Sequence, residues 1–171
     1  MKIRLDKLGD EPLEWHEKVS IATASLEREQ LLELGEIDNW GQVWIESPGY
    51  GLEARLSYDQ TVACDRCLTP IVQPVKSTIR LTVVVGSPAT VEGEVELTED
   101  DLETLYVTGN ELDTNAIVRE QVQLNVPMRR LCKEDCQGLC PTCGVNRNQE
   151  SCECEPTAID PRWEVLRQLK Q

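Results

Sequence analysis

Phenylalanine is absent from this chain, histidine occurs once, and aromatic residues make up only 4% of it. A core without Phe has to be assembled from Val, Leu and Ile. The four Trp residues (Trp15, Trp40, Trp44, Trp163) are expected to anchor it rather than to offer stacking surfaces for bases. Catalytic signatures are missing as well: there is no phosphate-cradling Gly-rich loop, no GxSxG elbow and no HExxH helix. A Cys–His nucleophile pair would have to use His16, for which nothing local argues. The expectation is a protein without enzymatic activity.

No apolar run approaches the roughly 20 residues that cross a bilayer. The N-terminal stretch MKIRLDKLGDEPLEW has charges every few residues and no apolar core, so neither a signal peptide nor a transit peptide is expected. The expected compartment is the cytoplasm, where thiols stay reduced. Positive charge is scarce, with 17 basic against 31 acidic residues and a formal charge of −14. That balance excludes broad, non-specific nucleic-acid binding, which needs basic surface to displace counterions. Between Arg80 and Arg119 there is no Lys or Arg, while nine acids run from Glu92 to Asp113. This window reads either as a cradle for a basic partner or divalent ions, or as a solvated loop or charged strand edge.

Cysteine is what the chain does have: eight residues, spaced as Cys64-x2-Cys67, Cys132-x3-Cys136, Cys140-x2-Cys143 and Cys152-x-Cys154. Disulfides need an oxidising compartment, and inert burial would scatter cysteines among apolar neighbours. These sit among Lys, Glu, Asp, Gln and Asn, in short fixed gaps that let paired sulfurs converge on one ion. In CPTCG, Gly144 permits the positive φ of a metal turn, and on an extended segment Cys152 and Cys154 face the same way. Tetrahedral zinc takes four thiolates, so eight sulfurs make two closed, structural sites. The preferred partition puts Cys140, Cys143, Cys152 and Cys154 on one ion and Cys64, Cys67, Cys132 and Cys136 on the other. A redox reading competes, because CPTCG is like half of a rubredoxin iron site and Cys-x2-Cys can be an exchange-active dithiol. Against it, CDRCL lacks a Gly after its second cysteine, and no thioredoxin-like βαβ unit surrounds either pair.

The elements expected around these cysteines make an α+β protein. Val19–Ala24 reads as a short strand, and the segment from Ser25 to Gly35 as a helical turn or connector. Val43–Ala63 is β-like with a reversal at Ser47–Gly51, and Val75–Val85 is another strand, placing Cys64 and Cys67 at the tip of a β-hairpin. Asp113 caps a helix whose apolar face includes Ile117, Val118, Gln121, Val122 and Leu124 and which Pro127 ends. A last helix starts at Asp160–Pro161, with Trp163, Leu166 and Leu169 on one face. The fold expected is a mostly antiparallel β domain with one helix (residues 1–127), followed by a cysteine-rich zinc-binding tail with a C-terminal helix (128–171). Charges within 128–154 cancel, so the tail is no basic nucleic-acid grip.

Several of these residues carry a family likeness. CDRCL at 64–68, ELD at 111–113, the helix closing at Pro127, LCKEDCQGLCPTCGVNRN, CEC and DPRW together resemble the DUF177, or YceD-like, family in its cysteine-rich-tail form. The likeness runs from about Val43 onward. It implies a non-enzymatic role in ribosome biogenesis, supporting accumulation of large-subunit (23S) rRNA. Enterobacterial members keep the first Cys-x-x-Cys and lack most tail cysteines, which implies that zinc stabilises rather than performs the shared function. Partners expected on this basis are a basic ribosomal protein or a pre-large-subunit particle, met by the acidic surface between Glu92 and Asp113. The rival is a zinc-ribbon module contacting rRNA directly through Arg129, Arg130 and Arg147. Neither a membrane nor a small-molecule substrate is expected.

Overall fold

The computed structural model describes residues 1–26, 30–87, 94 and 96–154. The chain divides into two compact units, one made of Met1–Val62 and Ile71–Met128, the other of Ala63–Pro70 and the chain from Arg129 onward.

The first unit is built on a sheet. Its strands are β1 (Lys2–Arg4), β2 (Leu13–Val19), β3 (Leu31–Leu34), β4 (Ile37–Glu46), β5 (Gly49–Ala63), β6 (Pro70–Val85), β7 (Thr104–Val107) and β8 (Glu111–Asp113). The helices are α1 (Glu99–Leu102) and α2 (Thr114–Leu124). The main sheet runs β2-β4-β5-β6-β7, with β3 also on β5, while β1 and β8 form a separate antiparallel pair. Strands β4 and β5 are a hairpin turning at Ser47–Pro48, paired from Glu46↔Gly49 to Asp38↔Ser57. Beyond the start of β4, β3 continues the pairing along β5, with Leu34 opposite Gln60 and Leu31 opposite Val62.

Alternation along these strands sets the two faces. Leu52, Ala54, Leu56, Tyr58 and Val62 of β5 point inward with Ile37, Val43, Ile79 and Val83, and α2 adds Ile117, Val118 and Val122. Each such aliphatic side chain contributes about 1.5–3 kcal/mol when taken out of water. Trp15 is buried against the backbone of Gly41, where an added Cβ would come within 2.0 Å of the indole. Trp40 and Trp44 stand on the opposite, solvent side of β4 and are only half-buried. The expectation that the tryptophans anchor the core therefore holds for Trp15 and fails for these two; Trp163 lies outside the described residues.

Other expectations are corrected. Val19 ends β2 and Thr23–Ser25 is a 3-10 turn, so Val19–Ala24 is no strand. The reason is a missing partner: Val19 pairs with Ile37, the first residue of β4, and the ladder stops there. Leu31–Leu34 is a strand rather than a helical turn. Strand β6 begins at Pro70, not Val75; a missing proline N–H is tolerated where a strand has an open edge. The sheet is mostly antiparallel, as expected, and the exception is β7, which pairs with β6 in parallel, Thr82↔Thr104 to Val85↔Val107. A parallel return needs a crossover of a dozen residues or more, and the connection between Val85 and Thr104, which carries most of the acidic window, is long enough.

Asp113 caps α2, its Oδ1 accepting the Asn115 N–H at 3.0 Å. Leu124, expected on the apolar face, is 62% exposed, and the helix stops there, before the residue that precedes Pro127. The C-terminal helix expected from Asp160 falls outside the described residues. Among the described residues, no helix is long and apolar enough to cross a membrane.

Candidate metal centres

The second unit starts from two cysteine turns of the same build. The Leu68 N–H donates to Cys64 O at 3.0 Å, and the Gly144 N–H to Cys140 O at 2.9 Å. The residue after each second cysteine has positive φ, 59° at Leu68 and 75° at Gly144. Glycine suits this conformation; Leu68 adopts it with its side chain 62% exposed. The missing glycine after Cys67 thus changes the residue and not the backbone.

These turns gather two sets of four sulfurs. Cys64, Cys67, Cys132 and Cys136 form one group, and Cys140, Cys143, Cys152 and Cys154 the other, the sulfurs of each lying within 4.8 Å of one another. In the first group Cys64 and Cys136 Sγ are 3.9 Å apart and Cys67 and Cys132 Sγ 3.6 Å. A disulfide would bring sulfurs to about 2.05 Å, and all eight thiols are free. Four sulfurs each about 2.3 Å from a tetrahedral ion are separated by about 3.8 Å, so the donor set fits one.

Electrostatics shows how such a group could accommodate a cation. Burial pushes the Cys64 thiol up, but the N–H groups of Arg66, Cys67 and Cys132 together outweigh it and bring it down to about 6. Cys140 is drawn to about 6 by the N–H groups of Cys143 and Thr142. Within each group another thiol is driven the other way. Cys132 goes up to about 12, through burial and then the Cys67 sulfur; Cys154 also goes up to about 12, through the Cys143 sulfur and then burial. One thiolate suppresses the next, and a divalent ion removes the conflict.

The structure adds residues that the cysteine spacing did not indicate. The Asn148 Nδ2 donates to Cys136 Sγ at 3.3 Å, while Asn148 Oδ1 accepts the Gln137 N–H at 2.9 Å. Asn146 orients Asn148 by accepting its N–H at 3.0 Å, and itself donates to Thr69 Oγ1 at 3.3 Å. Asp65 accepts the Arg130 N–H at 2.7 Å and pairs with the Arg130 guanidinium. Those two contacts, the N–H first, hold the Asp65 carboxyl below the usual carboxylate range. Arg66 donates from Nη1 to Cys136 O at 2.9 Å and accepts the Leu139 N–H at 3.0 Å. The signal available in sequence was position: Asp65 and Arg66 lie inside a cysteine turn, and Asn146 and Asn148 directly after one. Of the three arginines considered for RNA contact, Arg129 and Arg147 are exposed, whereas Arg130 is engaged by Asp65 and its side chain is 11% exposed.

Of the acidic window, Glu94, Glu96, Asp101, Glu103 and Glu111 are exposed, Asp113 serves as helix cap, and Glu92 lies outside the described residues. His16 stands on the outer face of the sheet with Nε2 2.5 Å from Asp38 Oδ1.

Comparison with known proteins adds to this geometry. Residues 52–170 match the family described as "Large ribosomal RNA subunit accumulation protein YceD". An uncharacterized protein of Mycobacterium tuberculosis is 35% identical over 103 residues, covering 60% of this chain and 47% of that protein, so the chain spans about half the length of this relative. A Zea mays protein named "Large ribosomal RNA subunit accumulation protein YCED homolog 1, chloroplastic" is 31% identical over 69 residues, 40% of this chain and 24% of the relative. The uncharacterized protein YlbN of Bacillus subtilis is 23% identical over 168 residues, covering 97% of this chain and 92% of its own length. No solved structure matches.

Proposed function

Because the chain belongs to the YceD family, we propose that it is a non-enzymatic ribosome-biogenesis factor supporting accumulation of large-subunit (23S) rRNA. The observation that carries this reading is the family match over residues 52–170, joined to the printed names of the plant relatives. In it, Cys64, Cys67, Cys132 and Cys136 hold one zinc ion and Cys140, Cys143, Cys152 and Cys154 a second. Zinc at such sites supplies folding energy, about 10–16 kcal/mol in small zinc-finger peptides. With four thiolates each, both sites are closed, leaving no open position for substrate or water. The compartment of this chain is one that keeps thiols reduced, and we place it in the cytoplasm; the plant relatives are named chloroplastic.

The partner is a pre-large-subunit particle, engaged through a basic ribosomal protein by the exposed acids between Glu94 and Glu111. Such contacts speed encounter and weaken with salt. Direct contact with rRNA through Arg129, Arg130 and Arg147 is the second reading, and the engagement of Arg130 by Asp65 weighs against that patch. Depleting the protein should lower 23S rRNA relative to 16S, and the protein should sediment with precursor large subunits; unchanged 23S rRNA and sedimentation only as free protein would reject the reading. Metal analysis should return two zinc ions per chain. A coloured, iron-loaded protein from zinc-replete cells would turn the assignment towards redox chemistry.

A further inference from the structure

The outer face of the sheet has an unusual composition for so acidic a chain. Strand alternation places Asp38, Trp40 and Trp44 of β4, Glu53, Arg55 and Ser57 of β5, and Lys76, Thr78 and Arg80 of β6 on the side away from the core. On this face lies a recess of about 400 Å³ lined by Asp38, Trp40, Arg55, Ser57, Lys76 and Thr78, within the size range of ligand sites. The Arg55 guanidinium lies 4.8 Å from the centre of the Trp40 ring, a cation–π distance. It is held there by Glu53, which accepts from Arg55 Nη2 at 2.7 Å and has Arg80 Nε at 3.6 Å from its other oxygen. Glu53 itself is buried, its side chain 9% exposed, so one fixed carboxylate orients two guanidiniums whose own side chains are 62% and 74% exposed. Lys76 is exposed and has no ion pair among the described residues.

We propose that this recess binds a nucleotide of single-stranded RNA, with the base stacked against the Trp40–Arg55 pair and the phosphates met by Lys76 and Arg80. Indole and guanidinium planes stack on any base, whereas Asp and Glu side chains have no ring to stack. The Ser57 and Thr78 hydroxyls, and the Asp38 carboxylate oxygen that His16 does not contact, are the kind of partners a ribose 2′-hydroxyl takes. Trp44 continues the platform four residues along β4, about 13 Å away, lying over Gly51, where an added Cβ would come within 2.3 Å of the ring. A small, oriented cationic patch suits one short strand and is compatible with the overall charge of −14, which excludes a broad electrostatic grip. RNA as the polymer rests on the rRNA reading above; the recess and its residues do not.

The test titrates the full-length, zinc-loaded protein with a single-stranded oligoadenylate about 10 nucleotides long, following tryptophan fluorescence at several salt concentrations. Quenching is expected in the wild type. Trp40→Ala should weaken binding roughly tenfold without altering the salt slope, with Trp40→Phe restoring most of the loss. Lys76→Gln, at an exposed position, should flatten the slope by about 0.7. Should Trp40→Ala fail to fold, Lys76→Gln and Arg80→Gln carry the test, with zinc content and circular dichroism as fold controls. Wild type that does not bind RNA at low salt, or variants that bind like wild type, overturn the proposal. If the protein sediments with precursor large subunits yet binds no RNA, this inference falls and the function proposed above stands. If it binds RNA through Trp40 but never sediments with those particles, the site stands and the function falls.

Discussion

The two cysteine groups offer the same four ligands and differ in how the chain reaches them. The first joins the turn at Cys64 to a cysteine 68 positions later, and three of its members, Cys64, Cys67 and Cys136, are buried. The second is closed by a short loop between Cys143 and Cys152; only Cys140 is buried, and Cys143 is exposed. In chain-entropy terms the longer closure costs about 1.8 kcal/mol more. Among the described residues it is also the one supported by side chains outside its sulfurs, by Asp65 with Arg130, Arg66 with the Cys136 carbonyl, and Asn148 with the Cys136 sulfur. The difference separates two jobs: the first centre gathers remote segments into one unit, and the second orders only the stretch that contains it.

Ligand removal should expose that difference most strongly. If the proposed zinc ion ties the chain beyond Arg129 to the 64–69 turn, Cys64→Ser should abolish one zinc and make that chain readily cleaved by protease. Cys152→Ser should also cost one zinc while leaving the first centre and its supporting contacts in place, so cleavage stays confined to residues near 143–154. Metal analysis with limited proteolysis decides it, and equal protease sensitivity of the two variants would break the distinction. Complete removal of metal should unfold the second unit and leave the sheet of the first, read as retained β-type circular dichroism. A smaller effect concerns rate. A chelator should strip the wild type in two phases, the faster assigned to the exposed group because Cys152→Ser abolishes it. Loss of the fast phase in Cys64→Ser instead would reverse the order.

Much of this arrangement was legible in the sequence because cysteine gaps and β alternation are local signals. The hairpin carrying Cys64 and Cys67, the cap at Asp113 and the pairing of CPTCG with CEC all follow from residues a few positions apart. What escaped depends on partners remote in sequence. Whether Leu31–Leu34 is strand or helix is decided by the open edge of β5 beyond Ser57. That the chain between Val85 and Thr104, which carries most of the acidic window, joins two parallel strands follows from β7 pairing with β6, a pairing no window of residues displays. Hydrophobicity alone predicts burial of Trp40 and Trp44, while their parity along β4 places them on the face away from Trp15, which packs on Gly41. Asn146 and Asn148 were invisible for a related reason: an asparagine beside a cysteine turn declares itself only once the sulfur it reaches, at Cys136, is in place.

The support around the first centre can be probed without touching a sulfur. Asp65 is ionised more readily than a free carboxylate because Arg130 contacts it through both N–H and guanidinium. A carboxylate so depressed stabilises the fold above the ordinary range near pH 4 and loses that contribution as pH falls through its lower folded value. Asp65→Asn is therefore expected to melt a few degrees below wild type, with the gap unchanged between about pH 8 and pH 5. A gap that narrows between pH 7 and 6 would point to a different titrating group. The second centre has no described counterpart of this pair, so no single carboxylate should affect it similarly.

The smallest expected effect sharpens the comparison at the backbone. Both cysteine turns end in the left-handed conformation, one on leucine and one on glycine. A residue with a Cβ pays about 1–2 kcal/mol there, so Gly144→Ala should destabilise by about 1 kcal/mol. Leu68→Gly relieves the same strain but gives the unfolded chain more freedom, worth about 0.4–1 kcal/mol. Because the Leu68 side chain is mostly exposed, little packing is lost, and the net change should be a stabilisation below about 1 kcal/mol. Denaturant unfolding of zinc-loaded protein resolves changes of this size. If Leu68→Gly instead destabilised more than Gly144→Ala, the leucine would be held by contacts that a turn conformation alone does not require, and the two turns would no longer be equivalent in anything but their hydrogen bonds.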